Sequence, residues 1–161
     1  WDQSHVTWIK NNFTGFDIEF IDNTTNKQHK AYTVIEELLK GKETRLEDGI
    51  SFKDKDGTER FDCRVKWWQP NERRKLHGDI MMECPAEIYD KPLLHSDYYS
   101  YLDKKVVFFG HYWLKGNPVI ENNKAICLDY SVAKGGLLVA FKSEFLYKEN
   151  QEEGLVTNLG E

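Results

Sequence analysis

Val106-Val107-Phe108-Phe109-Gly110-His111-Tyr112-Trp113 is an apolar run closed by a glycine, a histidine and two large aromatics. A strand buried on both faces reads as such a run, because a sheet covered by helices leaves neither face to water. The loop at its end is where a rigid scaffold presents functional groups. This stretch argues for an α/β protein that displays His111 at the end of a strand.

Downstream, the pattern predicts strands over 124–130 and 137–147, turning at Gly135-Gly136, after a strand over 105–109. Upstream, Asp2 or Ser4 is placed to cap a short helix through Asn11, with Val6, Ile9 and Phe13 on one face. Ala31, Val34, Ile35, Leu38 and Leu39 form one stripe of a helix over 27–40 that stops at Gly41. From Ile50 the period changes to that of a hairpin. Residues 50–53 and 58–68 flank Asp54-Lys55-Asp56-Gly57, whose Asp-Gly pair supplies the positive φ of a tight turn. That run lacks the spacing and terminal Glu of a calcium loop. In 58–68, Phe61, Cys63, Val65 and Trp67 alternate with Arg60, Asp62, Arg64 and Lys66, the pattern of a strand with one face in a core. Residues 69–100 hold Pro70, Pro85 and Pro92 and are the least regular, with a short strand expected near 79–83. One domain is expected over 1–148, followed by a loose polar tail over 149–161.

The chain has 161 residues and a net charge of −5. That length suits a single core. The acid excess gives no basic footprint for nucleic acid, so nucleic acid is not an expected partner. The longest apolar runs fall far short of the roughly 20 residues a membrane helix requires, and a soluble, cytoplasmic protein with no membrane partner is expected. Cys63, Cys84 and Cys127 are odd in number and unpaired in spacing, and read as reduced core thiols.

Several residues have two readings. His111, judged on spacing alone, is more often a surface or core histidine than a ligand. Arg64 and Lys66 are either the solvated face of their strand or the lining of a phosphate groove, where Arg offers a planar fork and Lys a point charge. Asp129 either forms a turn or orders the loop near His111. Trp67, Trp68 and Trp113 suit a core, an interface or a base stack. His5, His29, His77 and His95 have no ligand-set spacing and read as structural or solvated. No glycine-rich loop opens a helix as a nucleotide cradle would.

From residue 106 to 141 the chain resembles the closing region of calcineurin-like metallophosphoesterases. The resemblance is carried by Gly110-His111-Tyr112-Trp113, by Ala125-Ile126-Cys127-Leu128-Asp129-Tyr130-Ser131, and by Lys134-Gly135-Gly136-Leu137-Leu138-Val139-Ala140. It is similar, more closely, to a bacterial serine/threonine phosphatase and diadenosine tetraphosphatase-like branch. Further similar blocks are Ile35-Glu36-Glu37-Leu38-Leu39-Lys40-Gly41-Lys42-Glu43, Gly49-Ile50-Ser51-Phe52-Lys53-Asp54-Lys55-Asp56-Gly57 and Arg64-Val65-Lys66-Trp67-Trp68. The family's Asp-x-His, Gly-Asp-x-x-Asp and Gly-Asn-His-Glu motifs are missing from the sequence, and Trp113 stands where the commonest family form has a second histidine. Trp1-Asp2 resembles the residues just after a metal-binding histidine, so the resemblance implies the second half of an enzyme.

What it implies is specific. The fold would be the second half of a four-layer α/β/β/α sandwich, a mixed sheet with flanking helices. The parent would be a hydrolase with two divalent ions of the Mn, Fe or Zn class, acting on phosphomonoesters or phosphoanhydrides of a small molecule or a phosphoprotein. His111 would be a metal ligand, and Arg64, Lys66 and Tyr112 would contact substrate. This chain alone would be metal-free and inactive, partnered by the amino-terminal half or a second copy that covers the strands around 106–109, 125–128 and 137–141. The alternative from another class is a non-catalytic interaction or phosphate-ligand-binding domain on the same scaffold.

Overall fold

The helix expected over 27–40 forms over Lys30–Lys40, and a further helix, Ile18–Thr25, precedes it. The computed structural model describes residues 3–47, 49–54, 56–93, 101, 105–146, 148 and 151–158. Helix α1 runs Gln3–Asn12, α2 Ile18–Thr25 and α3 Lys30–Lys40. Asp17 starts α2, its carboxylate accepting from Phe20 N at 2.7 Å. At the other end Thr24 and Thr25 turn their hydroxyls back onto the carbonyls of Ile21 and Asp22. The extended Asn26 then stops the helix. Next, His29 caps α3 by accepting from Ala31 N at 3.1 Å, and Gly41 closes it at φ +87°. The sequence reading misses α2 because that helix buries no residue: Ile18 and Ile21 are both exposed. Only the first half of the α3 stripe is covered, since Ala31 and Val34 are fully buried while Leu38 and Leu39 are exposed.

The segment 58–68 is not one strand. Residues Phe52–Lys53 (β2) and Glu59–Arg60 (β3) make the expected hairpin, with the Asp54 carboxylate accepting from the amides of Asp56 and Thr58 and from Arg60. After Phe61 the chain changes partner. Asp62–Arg64 (β4) pairs antiparallel with Glu43–Arg45 (β1), matching Thr44 to Cys63. Cys63 and Val65 are buried as the alternation requires, but Phe61 is 41% exposed under the Arg45 guanidinium. Val65 then bridges Met81. These strands, the helices and residues 81–89 form one compact unit, comprising 1–65 and 81–89, whose core includes Ala31, Val34, Leu46, Cys63, Val65 and Ile88.

A second unit comprises 66–80 and 90–161. Where a strand near Asp79 was expected there is a single helical turn, His77–Ile80 (α4). Its cause is local: the Asp79 carboxylate accepts from the amides of Lys75 and Leu76 and pulls the backbone into a turn. Val107–Phe109 (β5) and Ala125–Cys127 (β6) pair in parallel, Phe108 opposite Ile126. A parallel pair needs a long crossover, which residues 110–124 supply. The expected strand 124–130 breaks at Leu128, and Asp129–Tyr130 (β7) joins a second sheet ordered β7, β8, β9. Leu137–Phe141 (β8) is its centre.

The third strand of that sheet lies in the tail expected to be loose. Leu155–Asn158 (β9) pairs with β8, Phe141 opposite Leu155 and Val139 opposite Thr157. Gly154 makes the approach: a Cβ there would stand 2.7 Å from the Phe141 ring. Leu155-Val156-Thr157 suits a strand by side-chain type, yet three residues after a polar run are too few to read as one. The architecture is mixed α/β, with four small sheets among the described residues. Among those residues no helix is long and apolar enough to cross a membrane.

Candidate functional site

Among the described residues, the non-glycine positions with positive φ are His111 (+68°), Trp113 (+50°) and Ser131 (+60°). All three belong to the second unit. A left-handed non-glycine residue costs on the order of 1–3 kcal/mol and persists only where its surroundings over-determine it. Here the surroundings are visible. Asp129, the first residue of β7, accepts at Oδ2 from Trp113 N (3.2 Å) and at Oδ1 from Ser131 N (3.1 Å). Its carbonyl accepts from Leu114 N at 3.0 Å, and the Ser131 hydroxyl donates to the Leu114 carbonyl at 3.1 Å. The two strained loops are thus joined through one residue. Gly110 completes the approach, since a Cβ on it would meet Asp129 Cβ at 3.4 Å.

Within this turn the side chains divide. Tyr112 points inward at 5% exposed, its ring edge-on to Trp68 at 4.6 Å and to Phe109 at 5.6 Å. Phe109 also stacks at 4.7 Å against both Trp67 and Trp68. Ring pairs at these separations add to the burial that anchors the turn. His111 and Trp113 point outward and are exposed, their rings 5.5 Å apart. Lys134 places its ammonium 4.2 Å from the Trp113 ring centre, a cation–π contact that brings a positive charge beside the His111 turn. The Val132–Lys134 3₁₀ turn that carries Lys134 ends at Gly135, whose φ of +80° is left-handed.

The structure brings the His111 turn against Asp129, through Trp113 N and Gly110. Tyr112, which the resemblance assigns to substrate, is buried here with its ring against Trp68 and Phe109. Arg64 lies on β4 of the first unit, half-buried and opposite Glu43. Lys66 belongs to the second, half-buried, its amide bonded to the Ile80 carbonyl. Trp67 and Trp68 are core residues rather than an open stacking surface. Trp68 Nε1 donates to the Glu121 carboxylate at 2.6 Å, beside an open polar hollow of about 360 Å³ lined by Pro70, Glu72, Tyr101 and Asn122. Ser131, Trp113 and Lys134 were not singled out as site residues together. Ser131 shares a short block with Asp129, Lys134 one with the glycine pair and Trp113 one with His111, which is their common sequence signal.

The remaining histidines have structural work. His5 is buried with a ring nitrogen 2.5 Å from the Glu37 carboxylate, His29 caps α3, and His77 Nδ1 pairs with the Lys91 carbonyl at 2.9 Å. His95 lies outside the described residues. The cysteines are reduced. Burial pushes the Cys63 thiol up to about 11 and the Cys127 thiol up to about 12, so both stay protonated at neutral pH. No group of three or more His, Cys, Asp or Glu placed to hold a metal occurs among the described residues.

Compared with known proteins, the chain matches no family model, no curated protein and no solved structure.

Proposed function

We propose that this chain is the carboxy-terminal part of a dinuclear-metal phosphatase acting on phosphomonoesters or phosphoanhydrides, with the second half of an α/β/β/α sandwich as its fold. The observation that carries the reading is the placement of His111. An exposed imidazole stands on a strained turn at the end of parallel strand β5, beside a lysine ammonium. Strain maintained at an exposed residue points to a role for that residue, and a neutral imidazole is the commonest side-chain ligand for divalent metals. When bound, two divalent ions of the Mn, Fe or Zn class supply an activated water and a clamp for phosphoryl oxygens.

His111 is one ligand in this reading, and the others come from sequence outside this chain. Lys134 adds positive potential on the same side of the turn, and Arg64 and Lys66 are retained as phosphate contacts. Tyr112 is assigned to fixing the turn from beneath. The competing reading, a non-catalytic interaction domain, draws on the lack of a grouped ligand set among the described residues.

Hydrolysis of an aryl phosphate with added Mn²⁺ separates the two readings. The 161-residue chain is expected to be inactive, and the product of the whole reading frame active and dependent on His111. An inactive full product that binds no Mn²⁺ would support the interaction domain instead. Turnover by the 161-residue chain that is lost in His111→Ala would show that it forms a site alone.

A further inference from the structure

We infer that Asp129 is the positioning residue of the His111 turn: its carboxylate occupies the place of an anion between two left-handed loops and so fixes where the imidazole is presented. This rests on the reading of His111 as a metal ligand. Three observations carry it. First, the left-handed residues flank the carboxylate from two segments far apart in sequence, Trp113 in the β5–β6 crossover and Ser131 after β7, and each donates its amide to a different oxygen. Hydrogen bonds from backbone amides to a carboxylate are charge-assisted, and here the two come from separate loops and meet on one side chain.

Second, the rest of Asp129 is committed to the same contact. Its carbonyl takes the Leu114 amide, and its Cβ lies 3.4 Å from where a Cβ on Gly110 would stand. A turn formed by Asp129 alone would need only the bond to Ser131 N, two residues on. The bond to Trp113 N, sixteen residues back, serves the other loop. Third, the carboxylate makes no ion pair that would account for it otherwise among the described residues, since none of their salt bridges involves Asp129.

The consequence is a division of labour. Tyr112 and Phe109 hold the turn by packing from the core side, which sets its depth. Asp129 sets the backbone conformation on either side of Tyr112, which sets the direction in which His111 leaves the chain.

The test uses the product of the whole reading frame, with Asp129→Ala, Asp129→Asn and His111→Ala beside the wild type. Asn is nearly the same size as Asp and keeps one acceptor oxygen, so it retains one of the two bonds and guards against a merely unfolded Ala variant. Two readouts are taken: amide hydrogen exchange at Trp113, Ser131 and Ile126, and Mn²⁺ affinity from paramagnetic broadening of the His111 ring, or from equilibrium binding for His111→Ala. In Asp129→Ala, exchange at Trp113 and Ser131 is expected to rise about tenfold or more, as loss of a bond to a charged acceptor implies. Exchange at Ile126 should stay as in the wild type, and Mn²⁺ affinity should fall about tenfold, with Asp129→Asn between the two.

Unchanged exchange at Trp113 in both variants would overturn the inference. So would faster exchange with unchanged Mn²⁺ affinity in a protein whose His111→Ala variant loses Mn²⁺; Asp129 would then be structural only. If His111→Ala binds Mn²⁺ as the wild type does, it is the ligand reading that fails. In that case the exchange rates alone decide whether Asp129 holds the turn.

Discussion

Adjacent glycines after β7 offer a comparison in which one substitution acts by two different mechanisms. At Gly135, φ is +80° and nothing lies within 4 Å of where a Cβ would stand. Alanine there meets only the left-handed strain of an L-residue, about 1–2 kcal/mol. At Gly136 the Cβ would stand 2.0 Å from the Tyr130 carbonyl oxygen and 2.9 Å from that of Ser131. Side-chain Cβ atoms essentially never approach closer than 3.0 Å, so the backbone must open by the difference from 2.0 Å, about 1 Å. That movement stretches the Gly136 N to Ser131 O bond of 3.0 Å and the adjoining pair of Tyr130 with Leu137. Two lost backbone bonds at about 1 kcal/mol each, plus residual strain, put Gly136→Ala about 3 kcal/mol below the wild type. The corresponding fall in Tm is about 6–12 °C for a chain of this length. Urea unfolding followed by tryptophan fluorescence and a thermal melt would measure both variants. A Gly136→Ala protein as stable as Gly135→Ala, or more so, would refute the close approach.

Cys84 should react with a thiol reagent at pH 8 well before Cys63 and Cys127, whose thiols are raised to about 11 and about 12 by burial; equal labelling of all three in the folded protein would contradict this. By the same linkage the two buried thiols contribute full stability below their unfolded value of 9.0, and that contribution is lost as pH rises through 11 and 12, measurable as weaker resistance to urea at pH 10.5 than at pH 8. His29→Ala removes the cap of α3 and should lower stability by about 1 kcal/mol without altering metal content, whereas a change in metal content would make His29 more than a cap. Arg64→Ala in the whole product should raise KM more than it lowers kcat, and no kinetic effect would return Arg64 to the solvated face of β4.

Periodicity made legible elements at least part of whose apolar residues are buried or half-buried. α3, the Asp54 hairpin and strands β5, β6 and β8 fall within the segments the pattern marks. But β8 ends at Phe141, with a 3₁₀ turn over Ser143–Phe145 where the strand is expected to run on to 147, and the burial is partial, with Leu38, Leu39, Phe108 and Leu138 exposed. α2 was invisible for the converse reason: its Ile18 and Ile21 are exposed, and its existence rests on the Asp17 cap and the Thr24 and Thr25 hydroxyls. α4 follows from a single carboxylate bonding the two amides before it, a tertiary detail without a period. The apolar faces expected on the strands are present in part. Ala125, Ile126 and Cys127 are buried within the second unit, while Phe108 and Leu138 are exposed. Larger exposed apolar side chains sit elsewhere, on Phe16 and Ile18 of the helical segment.

The candidate site was legible as one residue and its strand. That His111 would follow a strand came from four apolar residues and a glycine, but its left-handed backbone did not. Positive φ at a histidine and a tryptophan leaves no mark in a sequence unless glycine takes the position. Asp129 was read with two roles, turn former or organiser of the His111 loop, and its two oxygens perform one each. That the Tyr112 ring is buried while its neighbour His111 is exposed was equally illegible, since an apolar run with aromatics at its end does not say which of them turns inward.

The central claim, that His111 is a ligand in a two-ion phosphatase site, is tested most directly by the metal content of the product of the whole reading frame, wild type and His111→Ala, after loading with Mn²⁺ and gel filtration. The account predicts two ions per chain in the wild type, at most one in the folded variant, and loss of aryl phosphate turnover with it. Equal metal content and equal turnover in the two proteins would contradict it.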